Sequence, residues 1–576
     1  MQSREARVYR FIQDKQLLPA FSRSGFEDPH PAKCRVGDSS IATSLDSLET
    51  DSTIQMTLET AISEPKSLLV RWARTCNRYF RRSADATENG GHDVLEPSPW
   101  GTQLAEQRSS VTKTYDAIVI GTGQAGPFLA QRLAGAGMKV AIIERKLFGG
   151  TCVNTGCIPT KTMVASAYAV HMVRRAGDFG VVNNGPVSVD MKLVKSRKDA
   201  VSGQSRTGVE SWLRGMTNCT VYQGHGRFES SKELSVGSER LTADRIFINV
   251  GGRAVLPQMP GIEGVPYLTN SSIMDVDFLP RHLIVMGGGY IGLEFAQMYR
   301  RFGSDVTIIG RASHLARDED EDVSTAIREI LEHEGIQVRL NATCVGFSRR
   351  GEKILADVDC ASGDREISGS HLLLAVGRRP NTDDLGLTNA GVAVDKRGYI
   401  VVDDQLRTSV PGIWALGDCN GKGAFTHTAF NDAEIVGANL LDNDSRKVSD
   451  RITAYALYID PPLGRVGLTE EEVRKSGRHA LIGRRPMTKV GRAVEKGETQ
   501  GFMKIMVDAQ TREILGAAIL GTGGDEAIHS ILDVMYARAP YTVIQRAMHI
   551  HPTVSELIPT MLGELQPLSD GAGAPQ

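Results

Sequence analysis

The sequence predicts an α/β protein with two nucleotide-binding domains and a C-terminal α+β domain, preceded by a long extension outside this architecture. Three observations lead to this prediction. A strand, a glycine-rich turn, a helix and a second strand follow one another twice along the chain. The 576 residues include 60 glycines, which exceeds the usual share of about 7%. Only five of these glycines precede Lys113, so the excess belongs to the part that carries the two repeated units.

Composition and charge exclude several classes of protein. The chain has 66 basic and 68 acidic residues, which argues against nucleic-acid binding through bulk positive charge. No uncharged run is long enough for a membrane-spanning helix. Eight cysteines are too few for a secreted disulfide scaffold, and the N-terminus lacks the apolar core of a secretory signal. We therefore expect a reducing, cytoplasmic location.

Residues 1–112 form the extension, which is predicted to be largely disordered because it is polar and shows little strand periodicity. One segment, residues 68–82, has a helical pattern with Leu69, Trp72 and Phe80 on one face and arginines on the opposite face. A basic amphipathic helix of this kind suits weak contact with a membrane surface or a partner. The alternatives are a helix that docks on its own protein and an extension without function.

The first repeated unit follows the apolar strand predicted at Tyr115–Ile120. Its turn contains Gly121, Gly123 and Gly126, and glycines at this spacing let backbone N–H groups approach a pyrophosphate at a helix N-terminus. The next strand ends at Glu144, where a carboxylate can accept a hydrogen bond from a ribose hydroxyl. Strand, turn, helix, strand and acid in this order predict a dinucleotide site.

The second unit has the same glycine spacing but lacks the acid. Gly287, Gly289 and Gly292 form its turn, and Arg311 and Arg317 follow the next strand. Because the strand ends without a carboxylate, nothing at its end repels a 2′-phosphate, and the two arginines can bind one, so NADPH is favoured, although NADH is possible. The alternative is a pair of solvated arginines with no preference. The two units together predict two Rossmann-like nucleotide-binding domains on parallel sheets.

A cysteine pair lies between the two units. Cys152 and Cys157 precede an apolar helical segment in which Pro159 suits the first turn. Such a pair can form a local disulfide or a reactive dithiol. The helix N-terminus and Lys161, one turn on, favour the thiolate of Cys157. Zinc is the alternative for paired cysteines, but no second pair or histidine spacing completes such a site, so we predict no metal.

A histidine near the C-terminus is the remaining catalytic candidate. Pro552 directs His551 out of helical geometry, so its imidazole is predicted to lie on a loop. Glu556, predicted on the helix that follows, can orient the ring as a general acid–base pair. A His-Pro step near a glutamate is more often structural, so this assignment depends on the cysteine pair.

These motifs, in this order, resemble the class I pyridine nucleotide-disulfide oxidoreductases, which are FAD flavoprotein disulfide reductases. The resemblance covers roughly residues 114–566, and the mercuric-reductase-like branch is the most similar. It adds further expected cofactor contacts and one ion pair near the flavin. These residues are Thr151, Gly226, Gly377, Asp418, Tyr290 at the nicotinamide pocket, and Glu294 paired with Lys161.

The resemblance implies how the enzyme works and how it is divided. NADPH reduces FAD, FAD reduces the Cys152–Cys157 disulfide, Cys157 remains as a charge-transfer thiolate, and Cys152 attacks the substrate. His551 and Glu556 would serve the other subunit of a homodimer. The implied parts are an FAD domain in two pieces (113–265 and 377–450), an NAD(P)H domain (266–376), a dimerisation domain (451–566) and a tail (567–576).

The substrate is predicted to be a small disulfide that the sequence does not identify. Gln124 and Gln131 stand where glutathione reductases carry glutathione anchors, and Gly310 stands where dihydrolipoyl dehydrogenases usually carry a glutamate. The last cysteine is Cys419, so the C-terminal cysteine pair of mercuric reductases is absent. A mercuric or other metal-ion reductase, a dihydrolipoyl dehydrogenase and an NAD(P)H oxidase or peroxidase remain as alternatives. A non-enzymatic tether through residues 68–82 is a further one.

Overall fold

A computed structural model describes residues 112–183, 185–359 and 363–568 of the chain. The predicted extension and its basic segment at 68–82 lie outside the described residues. Within them, two sheets with parallel strands carry helices between the strands, and an antiparallel sheet follows near the C-terminus. This arrangement confirms the predicted fold class.

In the first part of the chain, seven strands and four α-helices are found among the described residues from Lys113 to Ala254. The strands are β1 Lys113–Ile120, β2 Val140–Glu144, β3 Cys219–Gln223, β4 Gly226–Phe228, β5 Glu233–Val236, β6 Glu239–Ile248 and β7 Gly252–Ala254. The helices are α1 Gly126–Gly135, α2 Gly150–Asn154, α3 Cys157–Arg174 and α4 Met191–Arg214.

The sheet of the first part has the order β3-β2-β1-β6-β5-β4. Strands β3, β2, β1 and β6 are parallel, whereas β4 and β5 form an antiparallel extension. All five residues of β2 are buried, as expected for a parallel strand that is covered on both faces. The carboxyl ends of β1, β2 and β6 therefore meet at one edge, directly before the glycine turn.

The second part, as far as the structure describes it from Leu268 to Leu374, contains eight strands and two α-helices. The strands are β8 Leu268–Thr269, β9 His282–Met286, β10 Asp305–Ile309, β11 Gln337–Arg339, β12 Cys344–Arg350, β13 Lys353–Asp359, β14 Glu366–Gly369 and β15 His371–Leu374. The helices are α5 Tyr290–Phe302 and α6 Glu321–His333. The parallel sheet has the order β11-β10-β9-β15-β8, and β12 to β14 form a separate antiparallel sheet.

A short third part returns the chain to the first sheet. It contains β16 Arg378–Pro380, α7 Leu387–Ala390, β17 Ile413–Ala415 and α8 Thr426–Leu441. Strand β17 pairs in parallel with β6, with Ile413 opposite Ile246. This pairing brings the residues after β17, including Asp418, to the same edge as the first glycine turn.

The C-terminal part is an antiparallel sheet of six strands with helices on it. The strands are β18 Ala454–Leu457, β19 Leu463–Gly467, β20 Ala480–Pro486, β21 Phe502–Asp508, β22 Ile514–Leu520 and β23 Gln566–Pro567. The helices are α9 Glu470–Lys475, α10 Gly491–Glu495, α11 Gly524–Ala527, α12 His529–Tyr536, α13 Thr542–Gln545 and α14 Leu557–Gly563. Among all these described helices, none is long and apolar enough to cross a membrane.

Candidate functional site

A cavity of about 1290 Å³ opens at the edge where β1, β2, β6 and β17 end. Residues from every part of the fold line it, among them Thr122, Cys157, Tyr290, Asp418 and Tyr455. Ligands of open α/β sheets bind in crevices at the carboxyl ends of the strands. The cavity therefore has the position expected for the predicted dinucleotide, and it also reaches the C-terminal part.

The first glycine turn lies against the end of β6. Gly121 has a φ of +106°, and a Cβ atom there would lie 2.2 Å from the carbonyl oxygen of Asn249. The amide of Gly126 donates to Asn249 Oδ1 at 3.0 Å. A Cβ on Gly126 would in turn lie 2.2 Å from the carbonyl oxygen of Gly121. Gly121 and Gly126 therefore have no room for a side chain, and Gly121 and Gly123 present bare backbone to the cavity.

Glu144 lies at the end of β2, on the cavity wall. Its carboxylate accepts hydrogen bonds from the Thr122 hydroxyl at 2.6 Å and from the amide of Lys146 at 2.8 Å. These bonds orient the carboxylate and leave it further acceptor capacity, which a ribose hydroxyl can use. Thr151, Gly226 and Asp418 line the same cavity. The turn, the acid and these residues together fit a flavin dinucleotide.

The two cysteines lie on consecutive helices beside the cavity, as free thiols. Cys152 belongs to α2 and Cys157 is the first residue of α3. A hydrogen bond from the Cys152 thiol, the Thr426 hydroxyl 3.1 Å away and the charge of Lys161 lower the pKa of Cys157 to about 6, although burial opposes the shift. The pKa of Cys152 is raised by its hydrogen bond to the Cys157 sulfur and by burial. The pair therefore combines a ready thiolate with a thiol that needs a base.

Lys161 and Glu294 form an ion pair close to the cysteines. Lys161 Nζ lies 2.8 Å and 2.9 Å from the two carboxylate oxygens of Glu294. The Glu294 side chain is 8% exposed and also accepts from the amide of Tyr458 at 3.0 Å. The Tyr458 ring lies 4.5 Å from Lys161 Nζ, a cation–π distance. The structure thus brings together two predicted residues that are 133 positions apart.

The second glycine turn repeats the geometry of the first. Gly287 has a φ of +121°, and a Cβ there would lie 2.3 Å from the carbonyl oxygen of Ala375. A Cβ atom on Gly292 would lie 2.2 Å from the carbonyl oxygen of Gly287. Helix α5 begins at Tyr290, inside the turn predicted from Gly287 to Gly292, so Gly289 is its N-cap. Tyr290 follows the turn directly and lines the cavity.

Three other predicted nucleotide contacts lie outside the cavity lining. Arg311 and Arg317 stand on the loop between β10 and α6, and both are exposed. The Arg317 side chain is 78% exposed and lies 3.4 Å from Asp318. Gly377, with a φ of +129°, connects β15 to β16. The arginines follow the strand that leaves the second turn, which is the end where a nucleotide ribose lies in such sheets.

His551 and Glu556 contact each other but not the cysteines of their own chain. His551 Nδ1 lies 2.9 Å from Glu556 Oε2, and the His551 side chain is 80% exposed. Among the described residues that line the cavity, neither is found. Glu556 was predicted on the following helix, but it is the N-cap of α14. The correction is small, since the residue still holds the imidazole.

Several residues of the site were not predicted. The Thr426 hydroxyl is hydrogen-bonded to the Cys157 sulfur. The Asn249 side chain accepts a hydrogen bond from the first glycine turn. The amide of Tyr458 donates a hydrogen bond to Glu294. Asn249 had a recognisable signal, because it is a polar residue directly after the buried end of β6 and just before Gly251. Thr426 and Tyr458 had none, since each reaches the site from a distant segment of the chain.

The comparison with known families agrees with this geometry. The profile of the pyridine nucleotide-disulphide oxidoreductases matches residues 115–433, and the profile of their dimerisation domain matches residues 453–562. The chain belongs to the pyridine nucleotide-disulfide oxidoreductases. This confirms the predicted family, and the family implies FAD and a pyridine nucleotide as cofactors. The protein is an NAD(P)H-dependent oxidoreductase.

Individual relatives come from more than one branch of the family. The probable pyridine nucleotide-disulfide oxidoreductase RclA of Escherichia coli is 36% identical over 77% of this chain and 97% of its own length. A dihydrolipoyl dehydrogenase of Thermus scotoductus is 34% identical over 77% of this chain and 96% of its own. A mercuric reductase of Streptomyces lividans is 33% identical over 77% of this chain and 94% of its own. A solved Cu(II) complex of RclA, a flavoprotein disulfide reductase, matches with a TM-score of 0.72 at 35% identity and covers 79% of this chain and 100% of its own.

Proposed function

We propose that the protein passes electrons from NADPH, through FAD and the Cys152–Cys157 pair, to a small disulfide. The observation that carries this proposal is the unequal pair of thiols beside the Lys161–Glu294 ion pair, with the pKa of Cys157 lowered and that of Cys152 raised. One cysteine is thereby prepared to remain a thiolate and the other to attack once a base removes its proton.

The chain's own residues account for the exchange steps. Gly121, Gly123 and Glu144 would hold FAD, and the bound flavin would supply the electron pair of NADPH that opens the Cys152–Cys157 disulfide. Cys152 then attacks one sulfur of the substrate disulfide and releases one thiol. Cys157 attacks the resulting mixed disulfide, which releases the second thiol and restores the Cys152–Cys157 bond. His551 takes the proton of Cys152 and gives it to the first leaving thiolate, and the second leaving thiolate takes its proton from solvent.

The proton step requires a homodimer, because we assign His551 to the cysteines of the partner subunit. His551 is 80% exposed, and the flanking side chains of Met548 and Ile550 are 99% and 79% exposed. Exposed apolar residues around a catalytic candidate suit a surface that a second copy covers. The dimerisation domain that residues 453–562 match supports the same conclusion.

Mixed dimers test this assignment. A Cys152→Ser subunit and a His551→Ala subunit should each give an inactive homodimer, since each lacks one half of every site. Dimers formed from one subunit of each kind should recover about half of the wild-type activity, because one complete site remains. Mixed dimers as inactive as both parents would refute the proposed exchange of residues between subunits.

A substrate panel tests the main proposal. NADPH consumption is followed with low-molecular-weight disulfides, lipoamide, Cu(II) and Hg(II), with Cys152→Ser as the matched control. Turnover of a disulfide that disappears in Cys152→Ser supports the proposal. If no disulfide is turned over by the flavin-loaded dimer, the proposed substrate class is wrong.

Reduction of a metal ion is the second candidate, because two of the similar proteins point to it. One is a mercuric reductase, and the RclA structure is a Cu(II) complex. Two neighbouring thiols are suitable ligands for soft metal ions. Within the described residues no cluster of three His, Cys, Asp or Glu side chains forms a metal site, so such an ion would be a substrate at the cysteines. Metal turnover without disulfide turnover in the panel would favour this candidate.

The preference for NADPH is also a proposal. It rests on Arg311 and Arg317 and on the absence of an acid at Gly310, where a carboxylate would repel a 2′-phosphate. Arg311→Ala should lower kcat/KM for NADPH about tenfold, as the loss of one charge-assisted contact implies, and leave the value for NADH unchanged. Equal values for the two nucleotides in the wild type would refute the preference. The division of the chain into six parts at residues 112, 265, 376, 450 and 566 likewise stays a prediction.

A further inference from the structure

Phe430, one helical turn after Thr426, lines the same cavity as the two cysteines. Thr426 is the first residue of α8, and its hydroxyl lies 3.1 Å from Cys157 Sγ. Phe430 and Glu434 follow at intervals of four residues, so the three side chains lie on one side of the helix. All three line the cavity. Since four residues advance a helix by about 6 Å, Phe430 lies within reach of the substituents of a disulfide that reacts at the cysteines.

Three aromatic rings from three helices form an aromatic wall at this place. The ring centroid of Phe430 lies 4.7 Å from that of Phe128 on α1, with an interplanar angle of 85°. The Phe128 ring lies 5.2 Å from the Trp212 ring on α4, with an angle of 60°. Phe128 is 38% exposed, although phenylalanine is among the residues most often buried. The aromatic wall therefore continues from the cavity to the surface of the protein.

The charge that α8 places beside the aromatic wall is negative. The helix carries two carboxylates, Asp432 and Glu434. Arg451 lies 2.5 Å from Asp432 and neutralises it. Glu434 accepts a hydrogen bond from the Asn431 side chain at 3.0 Å, and no described cation forms an ion pair with it. A carboxylate without a cation on a cavity wall attracts positive charge and repels negative charge.

The nearest cations on the other elements are already paired. Lys161 lies 2.8 Å from Glu294. Arg132, one turn after Phe128 on α1, lies 2.7 Å from Asp442. The wall therefore offers aromatic surface and one unpaired carboxylate, which is a poor match for an anionic substrate.

We propose that the aromatic wall and Glu434 select the substrate of this enzyme, a disulfide with aromatic substituents that are uncharged or cationic. This inference rests on the proposed reduction of a small disulfide and names its chemical class. Aromatic rings gain from edge-to-face and offset contacts in addition to the burial of their surface. Repulsion by Glu434 disfavours disulfides that carry carboxylates, and rejection of the wrong partner is as effective for specificity as attraction of the right one.

The test uses four disulfides that differ in ring content and charge. Dithiodipyridine is aromatic and uncharged, dithiobis(nitrobenzoate) is aromatic and anionic, cystamine is aliphatic and cationic, and glutathione disulfide is aliphatic and anionic. The flavin-loaded dimer is assayed by NADPH consumption, and kcat/KM is obtained for each disulfide. Because the four differ in intrinsic reactivity, each variant is compared with the wild type on the same disulfide.

Phe430→Leu keeps an apolar side chain and removes the ring. It should lower kcat/KM about tenfold for the two aromatic disulfides and leave the two aliphatic ones within about twofold of the wild type. Phe278→Leu is the matched control, because Phe278 is a 48% exposed phenylalanine outside the cavity lining. It should change no value more than about twofold, as expected for a distant position.

Glu434→Gln removes the charge and keeps the shape. It should raise kcat/KM about fivefold for the two anionic disulfides, lower it about fivefold for cystamine, and leave dithiodipyridine within about twofold. High ionic strength should reduce these changes, since it screens the charge of Glu434. Glu329→Gln is the matched control, because Glu329 is an exposed carboxylate on α6 that does not line the cavity. A general defect of the fold would not act in opposite directions on anionic and cationic substrates.

Two results overturn the proposal. One is an equal loss for aromatic and aliphatic disulfides in Phe430→Leu, and the other is a change of the same sign for anionic and cationic disulfides in Glu434→Gln. If Phe430→Leu does not fold as a flavin-loaded dimer, Glu434→Gln decides alone. A wild type that reduces none of the four disulfides refutes this inference, and it refutes the proposed function as well only if lipoamide and the other disulfides of the substrate panel also fail.

Discussion

Replacing Thr426 with valine should raise the pKa of the Cys157 thiol, because it removes a hydroxyl that stabilises the thiolate. Thr426 Oγ1 lies 3.1 Å from Cys157 Sγ. The Cys152 thiol, this hydroxyl and the charge of Lys161 together lower the pKa of Cys157 to about 6, against the opposing effect of burial. Valine has nearly the same shape as threonine, so the substitution removes the hydrogen bond and little else.

The expected shift follows from the strength of a single hydrogen bond. A hydrogen bond to a charged group contributes about 1.5 kcal/mol, and one pKa unit corresponds to about 1.36 kcal/mol. The pKa of Cys157 should therefore rise from about 6 to about 7 in Thr426→Val. At pH 7 the thiolate fraction of the reduced enzyme should fall from about nine-tenths to about one-half, as a pKa change of that size requires.

The assay is a pH titration of the long-wavelength charge-transfer band in the two-electron-reduced holoenzyme. The thiolate is the form present above the pKa, so the band should disappear as the pH falls through about 6 in the wild type and at a higher pH in Thr426→Val. Thr426→Ser keeps the hydroxyl and should behave as the wild type, whereas Cys157→Ser should show no band. Identical midpoints for Thr426→Val and Thr426→Ser would refute the reasoning.

Two further predictions concern the ion pair and the glycine turns. Lys161→Met leaves the Glu294 carboxylate, which is 8% exposed, without its cation. It should lower the free energy of unfolding by about 3 kcal/mol, as measured by urea unfolding. The double variant Lys161→Met with Glu294→Leu should recover part of this loss. A double variant no more stable than the single one would contradict this. Gly126→Ala places a Cβ 2.2 Å from the Gly121 carbonyl oxygen and should yield protein without bound flavin, whereas Gly292→Ala should keep its flavin and lose nucleotide binding. Gly135→Ala is the control, since its Cβ would have no atom within 4 Å apart from its chain neighbours and its own helix backbone. The measurements are the flavin absorbance per protein and a titration with NADP⁺.

Much of the fold was predictable because the decisive signals are local in the chain. The glycine turns are examples, since Gly121 and Gly287 need positive φ values and room for a close backbone approach. Buried parallel strands such as β2 appear as short apolar runs. Cys157 at a helix N-terminus was predictable for the same reason, because Pro159 and the apolar segment follow it within one turn.

The contacts that tune the site were not predictable, because they join distant parts of the chain. Thr426 and Cys157, for example, are 269 positions apart. A sequence pattern reports periodicity and turn chemistry over a few residues. It contains no information on which side chains meet after sheets and helices have packed.

By itself the sequence determined the chemistry available to this protein, namely two nucleotide turns, a cysteine pair and a histidine–glutamate pair. It also determined the family, which the comparisons confirm. Only the tertiary structure decided the pKa values and the hydrogen-bond partners of these groups. It places Thr426 and Lys161 around Cys157, so that one sulfur is the better thiolate. The physical reason is that hydrogen-bond strength and pKa depend on distance and burial, and these quantities exist only once the chain has packed.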